Sequence, residues 1–266
     1  MSNSEPIGHA KPANSRKVTA DILLTVALIV VGMVAIRSLV VQPFTIPSGS
    51  MEPNLFQGDY IVVSKFSYGF SRYSFPLAPS WFSGRLFDRA PQRGDIVVFK
   101  LPRDPSMDFI KRVIGLPGDH VQLKSGVVFI NGQPMARRRE PDGVTDMGEG
   151  EVPVERFEEI NPEGRAYQIN ALEQNQSAEN TGIYVVPPRC YFLLGDNRDN
   201  SIDSRFDPNM TFNDVGPDNC GWDPALDTSV PDEPGVGFVP EEELEGRAQM
   251  VLFSTSRPDR LMHVLK

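Results

Sequence analysis

Histidine and cysteine are scarce in this chain. Three histidines (His9, His120, His263) and two cysteines (Cys190, Cys220) are spread over 266 residues. There is no HExxH and no CxxC, which excludes a helical zinc-protease motif and a cysteine-rich zinc site. No protein-bound metal is expected from these residues. A GxSxG elbow and an SxxK motif are also missing, so two common settings for a reactive serine are absent. A serine–histidine–aspartate triad would have to draw on His120 or His263, the only histidines outside the N-terminal tail. Positive charge is in deficit, with 26 Lys and Arg against 35 Asp and Glu and a net charge of −9. That argues against nucleic acid as a partner. Proline and glycine, by contrast, are plentiful at 24 and 22 residues, as in a turn-rich β protein with many chain reversals.

A long apolar run occurs once. Residues 22–36 are almost wholly apolar, Arg37 and Ser38 interrupt, and residues 39–41 resume the run. Its length of about 20 residues suits a membrane-spanning helix. It has no polar face, unlike an amphipathic core helix, and no Ala-x-Ala-like site follows it, unlike a cleaved leader. Residues 21–41 therefore read as an uncleaved anchor. Lys11, Arg16 and Lys17 precede it, so the positive-inside rule makes residues 1–20 a cytoplasmic tail and puts residues after about 42 outside. The anchor is expected to be single-pass, with the bulk of the chain on the outer side.

The outward portion reads as mainly β, with antiparallel sheets. Runs of β-branched and aromatic residues alternate with Gly- and Pro-rich turns. Residues 42–119 and 183–266 are assigned to one β domain, and residues 120–182, with hairpins near Ser125-Gly126 and Asn161–Gly164, to a smaller inserted β subdomain. Arg137-Arg138-Arg139 reads as a solvated turn. Residues 66–93 are aromatic and irregular, and either pack on the core or rest on a membrane surface. Residues 207–236 hold seven acids, five prolines and no Lys or Arg, as in an exposed acidic loop. Cys190 and Cys220 either bridge strand to loop in an oxidising compartment or stay apart.

Residues 43–53, Pro-Phe-Thr-Ile-Pro-Ser-Gly-Ser-Met-Glu-Pro, follow the apolar run directly. Three prolines make this stretch stiff, with Gly49 as its pliable point. It is either a linker or a rigid mount for a small nucleophile. Ser50 lies nine residues beyond Val41, at most ~30 Å of extended chain, and so close to the membrane. Lys111 is the odd member of the strand face Met107, Phe109, Lys111, Val113. It either snorkels outward or is desolvated. Burial lowers a lysine pKa from its reference of about 10.4 and so makes a base of it. A serine activated by a neutral lysine is the remaining option for hydrolysis. Spacing alone does not join Ser50 to Lys111.

Five segments resemble the sequence boxes of bacterial type I signal peptidases, in that family's order. They are Pro47-Ser48-Gly49-Ser50-Met51-x-Pro53; Gly58-Asp59 to Lys65 with Tyr68-Gly69; Arg93-Gly94-Asp95-Ile96-Val97; residues 110–119, Ile-Lys-Arg-Val-Ile-Gly-Leu-Pro-Gly-Asp; and residues 195–205, Gly-Asp-Asn-Arg-Asp-Asn-Ser-Ile-Asp-Ser-Arg. The resemblance implies a membrane-bound endopeptidase that cuts signal peptides from exported preproteins after an Ala-x-Ala pattern. It implies Ser50 as nucleophile, Lys111 as general base, and Ser48 with the Ser50 N–H as oxyanion donors. Ser201 would hold the Lys111 amine, and Asp203 and Arg205 would support the site as an ion pair. Ile46, Met51 and Ile110 would bind substrate. Implied partners are signal peptides, the lipid bilayer and the protein-export channel, and no cofactor is implied. The same resemblance makes the outer side the periplasmic side of a bacterial inner membrane. The chain departs from the family in its long acidic insertion before Gly237-Phe238-Val239-Pro240. Two rivals stay open: an inactive anchored relative that binds signal peptides or the channel, and a self-cleaving serine–lysine protein.

Overall fold

The computed structural model of the chain describes residues 15–75, 78–79, 81–147, 150–172, 177–207, 220–221 and 235–265. Most of the predicted cytoplasmic tail and most of the acidic stretch 207–236 lie outside these residues. The chain divides into two compact units, Met1–Arg37 and Ser38–Lys266.

Helix α1 spans Ser15–Leu39. Its described side chains, residues 18–34, are exposed, among them Ile22, Leu24, Leu28 and Val31. Among the described residues no helix is long and apolar enough to cross a membrane. The end of the predicted anchor also shifts. Val41 leaves the helix and opens strand β1 (Val41–Thr45), paired opposite Ser64. Pro43 has no N–H to continue a helix and disfavours helical geometry in the residue before it, which turns the chain extended here.

Strands β2 (Asp59–Ser64), β3 (Ile96–Leu101), β4 (Asp104–Gly115), β5 (His120–Lys124), β6 (Val127–Ile130), β7 (Gln133–Pro134), β8 (Ala136–Asp146), β9 (Glu151–Ile160), β10 (Ala166–Ala171), β11 (Tyr184–Val185), β12 (Cys190–Leu194), β13 (Val239–Pro240), β14 (Leu244–Ser254) and β15 (His263–Val264) follow. Three sheets result, in the orders β1-β2-β14-β3-β4-β12-β13, β10-β9-β8 and β11-β5-β6-β7, with β15 added to β14. Every pairing within them is antiparallel. Pro43 sits in β1, at the edge of the large sheet, where its missing N–H interrupts no inner ladder.

The large sheet is buried on both faces at its centre. Ile96 and Val98 of β3 join Ile46, Met51, Leu55, Ile61 and Val251 on one side. Val97 and Phe99 join Val113, Leu193 and Leu244 on the other. This two-sided burial explains why β3 reads as a continuous apolar run rather than an alternating one. A third cluster joins Ile114, Phe192 and Leu194 of the large sheet to Val121, Leu123, Ile169 and Tyr184. The same cluster contains Cys190 and Cys220, which form a disulfide. In residues 66–93, Tyr68 and Tyr73 are buried, whereas Trp81 and Phe87 are 87% and 81% exposed.

One expectation is corrected outright. Arg137, Arg138 and Arg139 are not a turn but lie within β8, opposite Glu159, Glu158 and Phe157 of β9. Arg137 pairs with Glu159, Arg138 with Glu158, and Arg139 with Glu155. Cross-strand charge pairs let an arginine run serve as a strand.

Glu159 is the centre of a buried cluster. It accepts hydrogen bonds from Arg137, Arg198 and the Tyr167 hydroxyl. Burial favours its neutral acid, but Arg198 and Arg137 outweigh that and hold the carboxyl down at about 2. Glu159→Ala leaves Arg137 and the buried Arg198 without their shared carboxylate and is expected to cost about 3–5 kcal/mol by denaturant unfolding. Arg138→Ala, at a side chain 67% exposed, is expected to cost less than about 1 kcal/mol. Because the folded pKa of Glu159 is depressed, its contribution is complete above the free value of 4.5 and is lost as pH falls toward 2. Thermal melts across that acid range check the sign: the stability difference between Glu159→Gln and the parent chain shrinks as pH falls.

Candidate active site

The Ser-Gly-Ser segment is held as a closed loop. The Ile46 amide donates to the Asp59 carbonyl at 2.9 Å, and the Gly58 amide to the Ile46 carbonyl at 2.9 Å. Within the loop, the Glu52 amide donates to the Gly49 carbonyl at 3.1 Å and the Leu55 amide to the Met51 carbonyl at 2.9 Å. Met51 and Leu55 plug this loop into the core with no exposed surface. The loop is thus fixed by backbone bonds at its neck and by apolar burial at its centre, and Ser50 sits between the two.

Lys111 reaches Ser50. The Lys111 Nζ donates to Ser50 Oγ at 2.9 Å, and Lys111 is 3% exposed. Phe109 flanks the amine, its ring centroid 5.6 Å from Nζ. Burial depresses the Lys111 pKa to about 8; Asp203 and Asp196 pull it upward, and Arg205 adds to the depression. A second buried lysine, Lys65, instead donates to the carbonyls of Tyr73 and Ser74. His120 is exposed on β5. Among the described residues, no group of three or more His, Cys, Asp or Glu is arranged to hold a metal ion.

Residues 195–205 pack against the serine loop from the end of β12. The Asn197 amide donates to the Ser50 carbonyl at 3.1 Å. Gly195 is required by close approach, because a Cβ there would lie 2.2 Å from Ser201 Oγ and 2.7 Å from the Ser50 carbonyl oxygen. Asp203 and Arg205 form a buried pair, with Nε to Oδ1 at 2.8 Å and Nη2 to Oδ2 at 2.9 Å. Asp203 also accepts from the Gly195 and Arg205 amides. Burial favours its neutral acid, yet Arg205 and these donors hold its pKa below the ordinary value. Ser204 ties the block back to β12 by exchanging two bonds with Leu193.

The remaining predicted residues fall into place unevenly. Ser48 Oγ lies 3.4 Å from Ser50 Oγ. No hydrogen bond joins Ser201 to Lys111, whose amine is directed to Ser50; the Ser201 hydroxyl is buried with no partner. Ile46 and Ile110 belong to one apolar cluster with Met51. Ile110 is half-buried, whereas Ile46 and Met51 are buried, at 3% and 0% exposed.

Several contributors carried no signal of their own in the sequence. Arg112, next to Lys111, binds Asp196 bidentately at 2.7 and 2.7 Å and stacks 4.1 Å from the Tyr167 ring. Asn54 donates to Asp196 at 2.8 Å. Thr145, on β8, donates to Glu52 at 2.5 Å. Arg112, Asp196 and Asn197 stand in the sequence only as members of the segments 110–119 and 195–205, and Thr145 in an ordinary strand.

A buried amine beside a serine hydroxyl, on a loop closed by its own backbone, has the makings of a serine–lysine hydrolase. Comparison with known proteins bears on the same point. The family model described as signal peptidase, peptidase S26, matches residues 19–253. A signal peptidase I of Rickettsia typhi is 40% identical over 229 residues, 83% of this chain and 75% of its own length. One of Rickettsia prowazekii is 36% identical over 250 residues, 91% and 83% of the two chains. A crystal structure of a signal peptidase I from Enterococcus faecalis aligns over 60% of this chain and 97% of its own, at 22% identity and a TM-score of 0.29, too distant to bear on the fold. With the family model and these relatives in agreement, the chain belongs to the signal peptidase family, peptidase S26.

Proposed function

We propose that this signal peptidase cleaves through a Ser50–Lys111 dyad while anchored in the membrane. As a serine peptidase of its family, the protein removes signal peptides from exported preproteins. The observation that carries the dyad reading is the 2.9 Å contact between Lys111 Nζ and Ser50 Oγ inside a site that buries the amine. A lysine depressed to about 8 is partly neutral near pH 7, and further desolvation by bound substrate favours the neutral form.

In this reading Ser50 Oγ attacks the scissile carbonyl after the small residue of an Ala-x-Ala site, and its proton passes to Lys111 Nζ. The tetrahedral oxyanion is met by the Ser50 N–H and the Ser48 hydroxyl. Lys111 then returns the proton to the departing amine, leaving an ester on Ser50. A water, deprotonated by Lys111, attacks that ester and releases the signal peptide. Ser201 serves as acceptor for one of the amine's remaining hydrogens; its buried hydroxyl has no competing partner. Asp203 and Arg205 keep the 195–205 block in register with the serine loop. Ile46 and Ile110, backed by Met51, form the shallow apolar wall that accepts alanine and excludes bulk.

The proposed arrangement keeps residues 1–20 cytoplasmic, residues 21–41 in the bilayer, and 42–119 with 183–266 outside as the catalytic β domain carrying the subdomain 120–182. The Cys190–Cys220 disulfide supports an oxidising, periplasmic side. Signal peptides, the bilayer and the export channel are the proposed partners. A binding-only relative fits less well, since both members of the dyad are in contact.

Ser50→Ala and Lys111→Met are each expected to stay folded and to lose Ala-x-Ala peptide cleavage by at least about 10³-fold in detergent; a variant that still turns over removes its residue from the dyad. For the parent enzyme, kcat/KM should rise with pH through a midpoint near 8, as the amine loses its proton; a profile flat from pH 6 to 9 contradicts a lysine base. The folded pKa of Lys111 lies below the free value, so the fold binds fewer protons than the unfolded chain between about 8 and 10.5, and stability due to this group rises with pH across that window. Lys111→Met should therefore stabilise the chain more at pH 7 than at pH 10.5, measured by denaturant midpoints.

A further inference from the structure

A chain of side chains runs from the β8 strand to the peptide that carries the nucleophile. Thr145 Oγ1 donates to Glu52 Oε2 at 2.5 Å. The same oxygen accepts from Asn197 Nδ2 at 2.7 Å. Asn197 Nδ2 also donates to the Gly49 carbonyl at 3.1 Å, and the Asn197 backbone amide to the Ser50 carbonyl at 3.1 Å. Thr145 and Asn197 are buried, at 2% and 2% exposed, and Glu52 at 7%.

The directions are fixed by the donor inventory. A threonine hydroxyl has one hydrogen, and here Glu52 takes it, so its lone pairs are left to accept from Asn197. The Asn197 amide has two hydrogens, and Thr145 and Gly49 take one each. Asn197 is thereby held in a single orientation, with its nitrogen toward the serine loop. Gly49 C=O and Ser50 N–H are the two ends of one planar peptide unit. A donor on the carbonyl end fixes the plane of that unit and polarises its N–H. That N–H is the backbone oxyanion donor of the proposed mechanism.

We propose that Thr145 is a positioning residue for the oxyanion site, acting through Asn197 on the Gly49–Ser50 peptide, with Glu52 as the acceptor that orients the threonine hydroxyl. The inference rests on the reading of Ser50 as nucleophile. It gives the β8–β9–β10 sheet a part in catalysis, although no residue of that sheet touches the reacting atoms. Burial raises the Glu52 pKa, and the Thr145 hydrogen bond opposes the rise, as expected of an acceptor inside the relay.

Thr145→Val keeps the shape and removes the hydroxyl; Thr145→Ser restores it. Steady-state kinetics on an Ala-x-Ala peptide should show kcat for Thr145→Val lowered about 10-fold with KM within about two-fold, since the lost interaction bears on the transition state and not on substrate binding. Affinity for an Ala-x-Ala peptide boronic acid, whose tetrahedral adduct occupies the oxyanion site, should fall by the same factor. Thr145→Ser should return kcat to within about two-fold of the parent. Unchanged kcat in folded Thr145→Val, a rise in KM alone, or a Thr145→Ser enzyme as slow as Thr145→Val overturns the relay. Should Thr145→Val fail to fold, Thr145→Ala against Thr145→Ser makes the same comparison. Ser50→Ala separates the two readings: residual cleavage by it removes the nucleophile assignment, whereas an inactive Ser50→Ala beside an unimpaired Thr145→Val removes the relay alone.

Discussion

The structure depends on keeping one ammonium group out of water. Lys111 carries its amine on a strand whose neighbours on the same face, Phe109 and Val113, belong to an apolar cluster, and the amine ends on the Ser50 hydroxyl. Water would hold that amine protonated at neutral pH. Its removal lowers the pKa to about 8, a loss of charge stabilisation of roughly 3 kcal/mol for the protonated form. The rest of the fold has to supply an enclosure rigid enough to maintain that.

The enclosure is polar as well as apolar. Arg112–Asp196, Arg205–Asp203 and Arg198–Glu159 are all buried charge pairs. Each joins segments far apart in sequence or fixes the turn that follows β12. Removing such pairs from water is costly, so their value as net stabilisers is small. What they provide here is geometry. Arg112 ties β4, one residue from Lys111, to the 195–205 block; Arg198 ties that block to β8 and β9 through Glu159. Asp203 also pulls the Lys111 pKa upward while Arg205 pulls it down, so keeping the two paired limits how far the carboxylate's charge favours the protonated amine.

Much of the fold was legible because strands here are short, rich in β-branched residues and fenced by Gly and Pro. The hairpins at 120–130 and 151–171, and the run 190–194, follow that pattern. Lys111 stood out as a polar residue on an apolar strand face. Its pairing with Ser50, 61 residues away, was not legible in the spacing; in the sequence only the family resemblance joined the two. Arg137-Arg138-Arg139 misled because composition suggested solvent, whereas glutamates on the neighbouring strand neutralise the run. The Cys190–Cys220 bridge stood open in the sequence as one of two alternatives, because sequence gives no distance, and the structure decides for it. The residues that steady the serine loop, Thr145 and Glu52, look like ordinary strand and turn residues until their hydrogen bonds are traced. The apolar run before residue 42 was legible as length and hydropathy, and the helix over Ser15–Leu39 agrees with it in position, though its last residues yield to β1.

The central claim is that burial makes Lys111 a base at physiological pH. The most direct measurement is the titration of its ε-amine in the intact folded protein, followed by NMR of 13C-labelled lysine and assigned with Lys111→Met. The account predicts a single resonance titrating near 8, well apart from the exposed lysines near 10.4. A Lys111 resonance titrating with the exposed lysines would contradict it.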